Sequence, residues 1–530
     1  MIENYYLILG LMLVVYLIFS WVPMKHALHM FQQNRYENGR YIAWLKKTIK
    51  SFSGKSFLPV VLLILIVLSS FVIDRGIHQV VTVAIVSIWG CYSIFNELKV
   101  EYIKPLVYTD RVKRQIVVMT CLNIIIYIII FNFTTYWDTL GLLYSYLGVW
   151  LMILVMNWIT QPIENAVKKK YLNDAKSILE NQTNLIKIGI TGSYGKTSSK
   201  TILQEILSEK FYSLMTPASF NTPMGITRTI REYLKPIHEV FICEMGADHV
   251  GDIQELCDFV HPKIGLVTSI GPQHLNTFGS LENIIKEKMK LIENLPADGC
   301  GIINMDNEYI RNYSIKNNCR LVSYAIHDEN VDYYATNITY TPKGSTFDVV
   351  TKEGTYTFET KLLGEHNIAN ICAAIAISRE LNVEWKELQS AVKKVKYVEH
   401  RLELKKINGY TFVDNAFNSN PVGSAMSLEV MKMMPNKRFV ITPGMIDLGE
   451  KQDELNKEFG KKMKDRVDVV ILVGVQQTKP IVLGLEESGF DSNHIHICKT
   501  VREAFQLVYT LATPEDTILL ENDLPDAFNN

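Results

Sequence analysis

An excess of charge of either sign is missing from this 530-residue chain, in which 54 basic side chains balance 55 acidic ones. A general polyanion binder such as a nucleic-acid coat needs a basic surplus, so that class is excluded. Paired cysteines are missing too. Cys91, Cys121, Cys243, Cys257, Cys300, Cys319, Cys372 and Cys498 are scattered without a CxxC pair. That spacing excludes a zinc ribbon or a disulfide framework and suits a reducing cytosol. There is no internal repeat and no low-complexity linker. With 48% hydrophobic and 21% charged residues the chain is not a disordered one. Its length corresponds to several domains. The mean hydropathy of +0.08 is slightly high for a soluble protein, and the excess is concentrated at one end.

Apolar stretches crowd the first 165 residues and then stop. Residues 5–23, 57–73, 76–95, 115–131 and 139–159 are each 17–21 residues long. A helix needs about 20 mostly apolar residues to cross a bilayer core, so the expectation is a five-span transmembrane domain over residues 1–165. Residues 24–56 carry seven bases (Lys25, Arg35, Arg40, Lys46, Lys47, Lys50, Lys55) against Glu37. Residues 98–114 carry five (Lys99, Lys104, Arg111, Lys113, Arg114) against Glu101 and Asp110. The alternate loops hold only Arg75, and Lys168, Lys169 and Lys170 follow the last span. Positive residues stay inside, which predicts an N-terminus outside and everything after about residue 165 in the cytoplasm. Glu3 stands where a cleavable signal would be basic. Residues 166–184 read as a polar helical connector.

A short apolar strand at 185–190 runs into Thr191-Gly192-Ser193-Tyr194-Gly195-Lys196-Thr197-Ser198 and then a helix. Gly192 and Gly195 let backbone N–H groups close around phosphate oxygens, and the helix start adds a positive dipole. Lys196 would reach the β/γ-phosphates of ATP and the Thr197 hydroxyl would ligate Mg²⁺. The strict pattern has a glycine where Ile190 stands, so this is a variant loop. A second strand ends in Glu244, where a further magnesium contact belongs in an open α/β sheet. A third, at 264–268, leads to His274 and a helix carrying Lys286, Lys288 and Lys290. On their own, that histidine and that lysine-rich helix read equally well as structural features.

These motifs stand in order with Asn221-Thr222-Pro223-Met224-Gly225, Glu244-Met245-Gly246-Ala247-Asp248-His249, Phe278-Gly279-Ser280, Glu287-Lys288 and Gly364-Glu365-His366-Asn367-Ile368-Ala369-Asn370. As a set the chain from about residue 185 to the end resembles the Mur ligase family, and most closely the branch that adds D-alanyl-D-alanine to a cell-wall precursor. Asp414-Asn415-Ala416-Phe417-Asn418-Ser419-Asn420-Pro421 and Gly444-Met445-Ile446-Asp447-Leu448-Gly449-Glu450 extend the likeness. The resemblance implies that the nucleotide is bound by Gly192, Ser193, Gly195, Lys196, Thr197, Ser198, His366, Asn367, Asn370, Arg401 and Asp414. It implies that Thr197, Glu244 and His274 hold magnesium and that Lys288 is carbamylated to add a negative metal contact. Lys196, His274 and Lys288 would be the catalytic set. Two departures fall in the domain that would choose the incoming amine. Asn415 stands where that branch has a second acid, and the tail Leu519-Leu520-Glu521-Asn522-Asp523-Leu524-Pro525 lacks a lysine-bearing segment common there.

The predicted fold class is an α-helical membrane domain plus α/β, with a central P-loop-type ATP-binding domain (185–397) and a C-terminal Rossmann-like domain (398–530). Residues 332–363 read as a small antiparallel patch with turns at Pro342-Lys343-Gly344 and Lys352-Glu353-Gly354. In the last domain, strands are expected at 410–413, 439–442, 469–473, 494–497 and 517–520. The expected activity is an ATP-dependent, ADP-forming ligation of a carboxylate acceptor, held on a lipid-linked glycan or peptide, to an amino acid or dipeptide. The spans stand where soluble relatives carry a UDP-sugar-binding domain. A poly-γ-glutamate or folate-type ligase, and a transporter or assembly factor driven by an ATPase domain, are the alternatives.

Overall fold

The computed structural model describes residues 2–50, 68, 74–99, 105–133, 140–141, 143–341, 344–397, 400–416, 419–446 and 448–522. The expected span at 57–73, Leu68 apart, lies outside them. So do Pro342 and Lys343 of one expected turn, Phe417, Asn418 and Asp447 of the C-terminal motifs, and Asp523, Leu524 and Pro525 of the tail. The chain divides into two compact units, Met1–Lys170 and Tyr171–Asn530.

The first unit is helical, with helices Ile2–Gln33, Asn38–Lys50, Arg75–Glu97 and Asp110–Phe133 and the first part of Val149–Asn181. Among the described residues two stretches are long and apolar enough to cross a membrane, Met12–Gln33 and Asp110–Asn132. The first differs from the expected 5–23. Pro23 does not end the helix, because Met24, Ala27, Leu28 and Phe31 recur at helical spacing and bury against Tyr41, Met119, Ile153 and Met156. Residues 38–50, expected as loop, form an amphipathic helix carrying Arg40, Lys46, Lys47 and Lys50.

The second unit holds two sheets. Strands β1 (Ile186–Thr191), β2 (Ser213–Met215), β3 (Val240–Glu244), β4 (Ile264–Val267), β5 (Cys300–Asn304), β6 (Arg320–Ala325), β7 (Tyr333–Thr341), β8 (Gly344–Thr351) and β9 (Gly354–Thr360) pair in the order β2-β3-β1-β4-β5-β6-β7-β8-β9. The first six run parallel and are covered on both faces, which is why β3 and β4 are buried from end to end and apolar apart from Glu244 at the carboxyl end of β3. One face packs against the helices Lys196–Leu207 and Glu365–Glu380 through Ile202, Leu203, Ile206, Ile371 and Ile375. The other takes Ile226, Ile230, Ile253, Leu256 and Phe259. Ala175 and Leu179 belong to this second cluster. The C-terminal turns of helix Val149–Asn181 are therefore part of this unit.

The expected antiparallel patch is present as the far edge of this sheet. β7 continues the sheet by pairing parallel to β6 at Tyr324–Tyr333, and only β7, β8 and β9 are antiparallel. Trp385 stacks on Tyr356 at 3.8 Å and fastens this edge to the helix Trp385–Lys394.

The second sheet has the order β10-β11-β15-β12-β13-β14. Its strands are β10 (Glu403–Ile407), β11 (Tyr410–Asn415), β12 (Arg438–Thr442), β13 (Val469–Val473), β14 (Ile495–Cys498) and β15 (Thr517–Glu521). All pairs are parallel except β10 with β11. Four strands match the expected set closely, and β14 begins one residue later than expected. β10 was not anticipated, because Glu403, Lys405 and Lys406 give it a polar, edge-strand sequence.

Candidate active site

In a parallel sheet the carboxyl ends of neighbouring strands share one edge, and the loops there build the site. Here β1 ends at Thr191, β3 at Glu244 and β4 at Val267, so the phosphate-loop residues, Glu244 and the segment leading to His274 meet on that edge. Gly192 has φ 147° and Gly195 φ 84°. A side chain at 192 would put its Cβ 2.1 Å from Thr268 Oγ1, so the loop passes too close to β4 for any residue but glycine. Ser193 fastens the loop from the other side, its Oγ donating to Gly271 O and accepting from Gly271 N, both at 3.0 Å. Gly195 caps the helix Lys196–Leu207, which aims its N-terminal N–H groups at the loop.

Lys196 Nζ donates to Gly192 O at 2.6 Å and to Ser193 O at 3.2 Å. Burial lowers its pKa to about 8, against the pull of Glu244. Thr197 Oγ1 donates to Glu244 Oε2 at 3.1 Å, and Asn221 Nδ2 donates to Glu244 Oε1 at 3.0 Å. The expected magnesium pair thus lies within one hydrogen bond. Sequence reasoning missed Lys200, whose Nζ sits 2.9 Å from Glu244 Oε2 with both side chains buried and also donates to Ala218 O at 2.6 Å. Burial by itself would raise the Glu244 pKa, but Lys200, Lys196 and the hydrogen bonds outweigh it and hold the carboxylate below its ordinary value. Lys200 stands four residues after Lys196, so helical periodicity was the available signal.

Lys288 is buried, and its Nζ donates to Ala247 O at 3.1 Å in the loop that follows Glu244. Burial first, then the charge of Lys196, lower its pKa to about 7 against Glu287, Asp252 and Asp248. The neighbouring Glu287 is structural, since its carboxylate accepts from Gly251 N at 3.0 Å and Ile253 N at 2.7 Å, at the start of helix Asp252–Val260. His274 is half-buried and starts the short helix Leu275–Phe278 with φ 56°.

A cleft of about 540 Å³ opens beside the loop. Gly195 and Ser198 line it from β1's side, His366 and Asn370 from helix Glu365–Glu380, and Arg401, Asn415 and Asn420 from the C-terminal sheet's domain. Burial, then Arg401, lower the His366 pKa to about 4, so the ring is neutral. On the cleft wall, His366 Nδ1 and Asn370 Nδ2 are buried with no hydrogen-bond partner among the described residues, whereas Asn367, whose Oδ1 is likewise unpaired among them, does not line the cleft. Unpaired buried polar atoms on a cleft wall fit a polar ligand such as a nucleotide. Asn370 Oδ1 meanwhile accepts from Ser199 Oγ at 2.9 Å, tying this wall to the phosphate-loop helix. Asp414, also expected at the nucleotide, lies with Gly192, Ser193, Lys196 and Thr197 outside the residues that line the cleft. The Asp414 Oδ2 accepts from His400 Nδ1 and Lys405 Nζ, each at 2.8 Å.

A phosphate-type loop on a parallel sheet, facing a Rossmann-like domain across a cleft, defines a two-domain unit of the nucleotide-binding class. Residues 190–378 match the Mur ligase middle domain and residues 400–521 match the Mur ligase glutamate ligase domain, so both domains belong to the Mur ligase family. The chain is 30% identical over 292 residues to the UDP-N-acetylmuramoyl-tripeptide–D-alanyl-D-alanine ligase of Escherichia coli, spanning 54% of this chain and 64% of that one. It is 27% identical over 339 residues to the UDP-N-acetylmuramoylalanine–D-glutamate ligase of Caldicellulosiruptor bescii, 63% of this chain and 69% of that one. The chain therefore spans about two thirds of the length of these relatives. Among solved structures, MurF from Acinetobacter baumannii superposes with a TM-score of 0.60 at 23% identity, covering 68% of this chain and 78% of its own. MurF ligase from Thermotoga maritima in complex with ADP gives 0.59 at 23% identity, with 67% and 80% covered. These likenesses establish the fold.

Proposed function

We propose that this chain is a membrane-anchored, ATP-dependent carboxylate–amine ligase that forms ADP, acting on a cell-envelope precursor. The observation that carries the reading is the cluster at the sheet edge: Lys196 and Thr197 of the loop beside Glu244, with the buried Lys288 amine held to the following loop. At that cluster an acceptor carboxylate would attack the γ-phosphate of ATP. Lys196 would neutralise charge developing on the transferred phosphoryl group, and Arg401 would reach it from across the cleft. An amine, from an amino acid or dipeptide, then displaces phosphate from the acyl phosphate to leave an amide, ADP and phosphate.

Thr197, Glu244 and His274, with Lys288 as its carbamate, would hold Mg²⁺, which when bound would offset the negative charge of the phosphates. His366, Asn367 and Asn370 would contact the nucleotide. The protein donors fit this role: Glu244 is held ionised, and Thr197 is already turned to it. The first 165 residues are read as the anchor, with the N-terminus outside and the ligase in the cytoplasm. Val117, Ile125, Ile129, Leu151, Val155 and Trp158 point outward from the helical unit, as lipid-facing side chains do and core side chains do not.

Release of ADP from Mg-ATP by the full chain, dependent on both an acceptor carboxylate and an amine, tests the activity. ATP turnover without amide formation refutes it. Lys196→Ala should abolish Mg-ATP binding, and normal affinity in that variant would overturn the assignment of the loop.

A further inference from the structure

The two places where the C-terminal domain departs from the branch it resembles touch each other. Asn415 and Glu521 are register partners at the ends of the adjacent parallel strands β11 and β15. Asn415 Nδ2 donates to Glu521 Oε2 at 2.9 Å, and Ser427 Oγ donates to the same oxygen at 2.6 Å. Ser419 Oγ donates to Glu521 Oε1. The carboxyl group is fully buried and does not line the cleft, whereas Asn415, Ser419 and Arg401 do. Asn415 is used at both ends of its amide, because its Oδ1 accepts from Leu402 N at 3.3 Å. Leu402 directly follows Arg401 and has φ 48°, a conformation a leucine keeps only where its surroundings hold it. Ser419 directly precedes Asn420, whose Oδ1 accepts from Val422 N and Gly423 N to start the helix Pro421–Met433 at the cleft.

We propose that Glu521 is a positioning residue, which sets Arg401 against the nucleotide through Asn415 and sets the Asn420 helix start through Ser419. This rests on the reading of the cleft as an ATP site. The polarity of the pair matters. An amide at 415 supplies a donor to Glu521 and an acceptor to Leu402 N, and a carboxylate at 415 would supply acceptors only. Two carboxylates this close in a buried site cannot both stay ionised. Burial already pushes the Glu521 pKa up, opposed by its three donors and by Arg401, the charged group that acts on it.

The test exchanges the amide across the pair in the full chain, reading Mg-ATP affinity calorimetrically at pH 6.5 and 8.5 and the unfolding temperature of each variant. Asn415→Asp should weaken Mg-ATP on the order of tenfold, and more at pH 8.5 than at 6.5. N415D/E521Q rebuilds the donor–acceptor pair with its sense reversed. It should recover affinity to within about threefold of the wild type and lose the added pH dependence. A merely structural role would restore the unfolding temperature in the double variant without restoring affinity, and that result overturns the proposal. Equal affinity of Asn415→Asp and wild type also overturns it. If the wild type itself binds no Mg-ATP, the nucleotide reading fails and the role of Glu521 fails with it. Binding by the wild type without recovery in N415D/E521Q removes Glu521 alone.

Discussion

Replacing Lys200 by methionine isolates the interaction that sequence reasoning did not find. Lys200 and Glu244 are paired at 2.9 Å, with side-chain exposures of 1% and 2%. Removing one partner of such a pair leaves a buried charge, which typically costs about 3–5 kcal/mol. Glu244 keeps its bonds from Thr197 and Asn221, so the lower end, about 3 kcal/mol, is the expected loss. For a cooperative unit the size of Tyr171–Asn530 that corresponds to a fall of roughly 4 °C in unfolding temperature. Lys200→Met should show that fall by scanning calorimetry of the full chain. The pair also fixes a sign for pH. The folded-state pKa of Glu244 is depressed, so its stabilisation is complete above the unfolded carboxylate range and fades as pH drops through the folded value. The deficit of Lys200→Met should therefore be full at pH 7 and shrink toward pH 4. K200M/E244Q, which removes both charges, should recover most of the loss, giving a coupling energy that neither single variant shows. A fall below about 2 °C in Lys200→Met, or a deficit that grows in acid, would refute the argument.

Three other outcomes are expected. Gly192→Ala should weaken Mg-ATP binding at least tenfold while helix content stays unchanged, since its Cβ would meet Thr268 Oγ1 at 2.1 Å and the strain is of order 1–3 kcal/mol; unchanged affinity would show that the loop does not need its close approach to β4. With Lys288 lowered to about 7, the neutral amine that captures carbon dioxide predominates above that pH. Wild-type turnover in bicarbonate-limited buffer should accordingly rise as pH passes 7, and Lys288→Ala should lose turnover that short carboxylates partly restore; a flat profile and an active variant would make Lys288 a structural lysine. Removing residues 1–165 should leave Mg-ATP affinity within about threefold yet abolish work on a membrane acceptor, whereas removal through residue 181 should also destabilise the ligase unit by exposing the apolar neighbours of Ala175 and Leu179; full activity of the shorter chain on such an acceptor would reduce the helices to a tether.

The phosphate loop was legible because its chemistry is local: two glycines, a lysine and a threonine between a strand and a helix specify the geometry without tertiary help. The last domain's strands were legible because buried parallel strands are short apolar runs. Lys200 was not, since one lysine in an amphipathic helix reads as solvent-facing until β3 and Ala218 are known to lie beside it. Asp414 was drawn to the nucleotide by its motif, yet the unforeseen strand β10 brings Lys405 against it. The antiparallel strands were found, but their continuity with the parallel sheet depends on two paired residues, Tyr324 and Ala325, and no pattern announces so short a seam. The first span shifted because Pro23 marks a helix end by propensity, and helical-period packing beyond it overrides that preference.

The charges at the central site argue for its ligand independently of any motif. Lys196, Lys200 and Arg401 act on the buried acid Glu244, while Lys288 faces Lys196, Glu287, Asp252 and Asp248. Lys200 spends its charge on that acid. The remaining cations are destabilised by burial, which is why Lys196 and Lys288 fall to about 8 and about 7 and Arg401 is lowered as well. Glu287, Asp252 and Asp248 pull against this at Lys288, and Glu244 and Glu521 do so at Arg401. Buried cations are costly in a protein interior, and a polyanion beside Lys196 and Arg401 would offset that cost. A nucleotide triphosphate supplies that charge, and its arrival would raise the pKa of Lys196 and fix it as the charged form that phosphoryl transfer requires. Lys288 differs, because a carbamate there would remove one cation and add an anion, converting a repulsive neighbour of the metal into a ligand. Glu244 and Lys200 would then remain as a balanced pair, leaving Lys196 and Arg401 to face the phosphates.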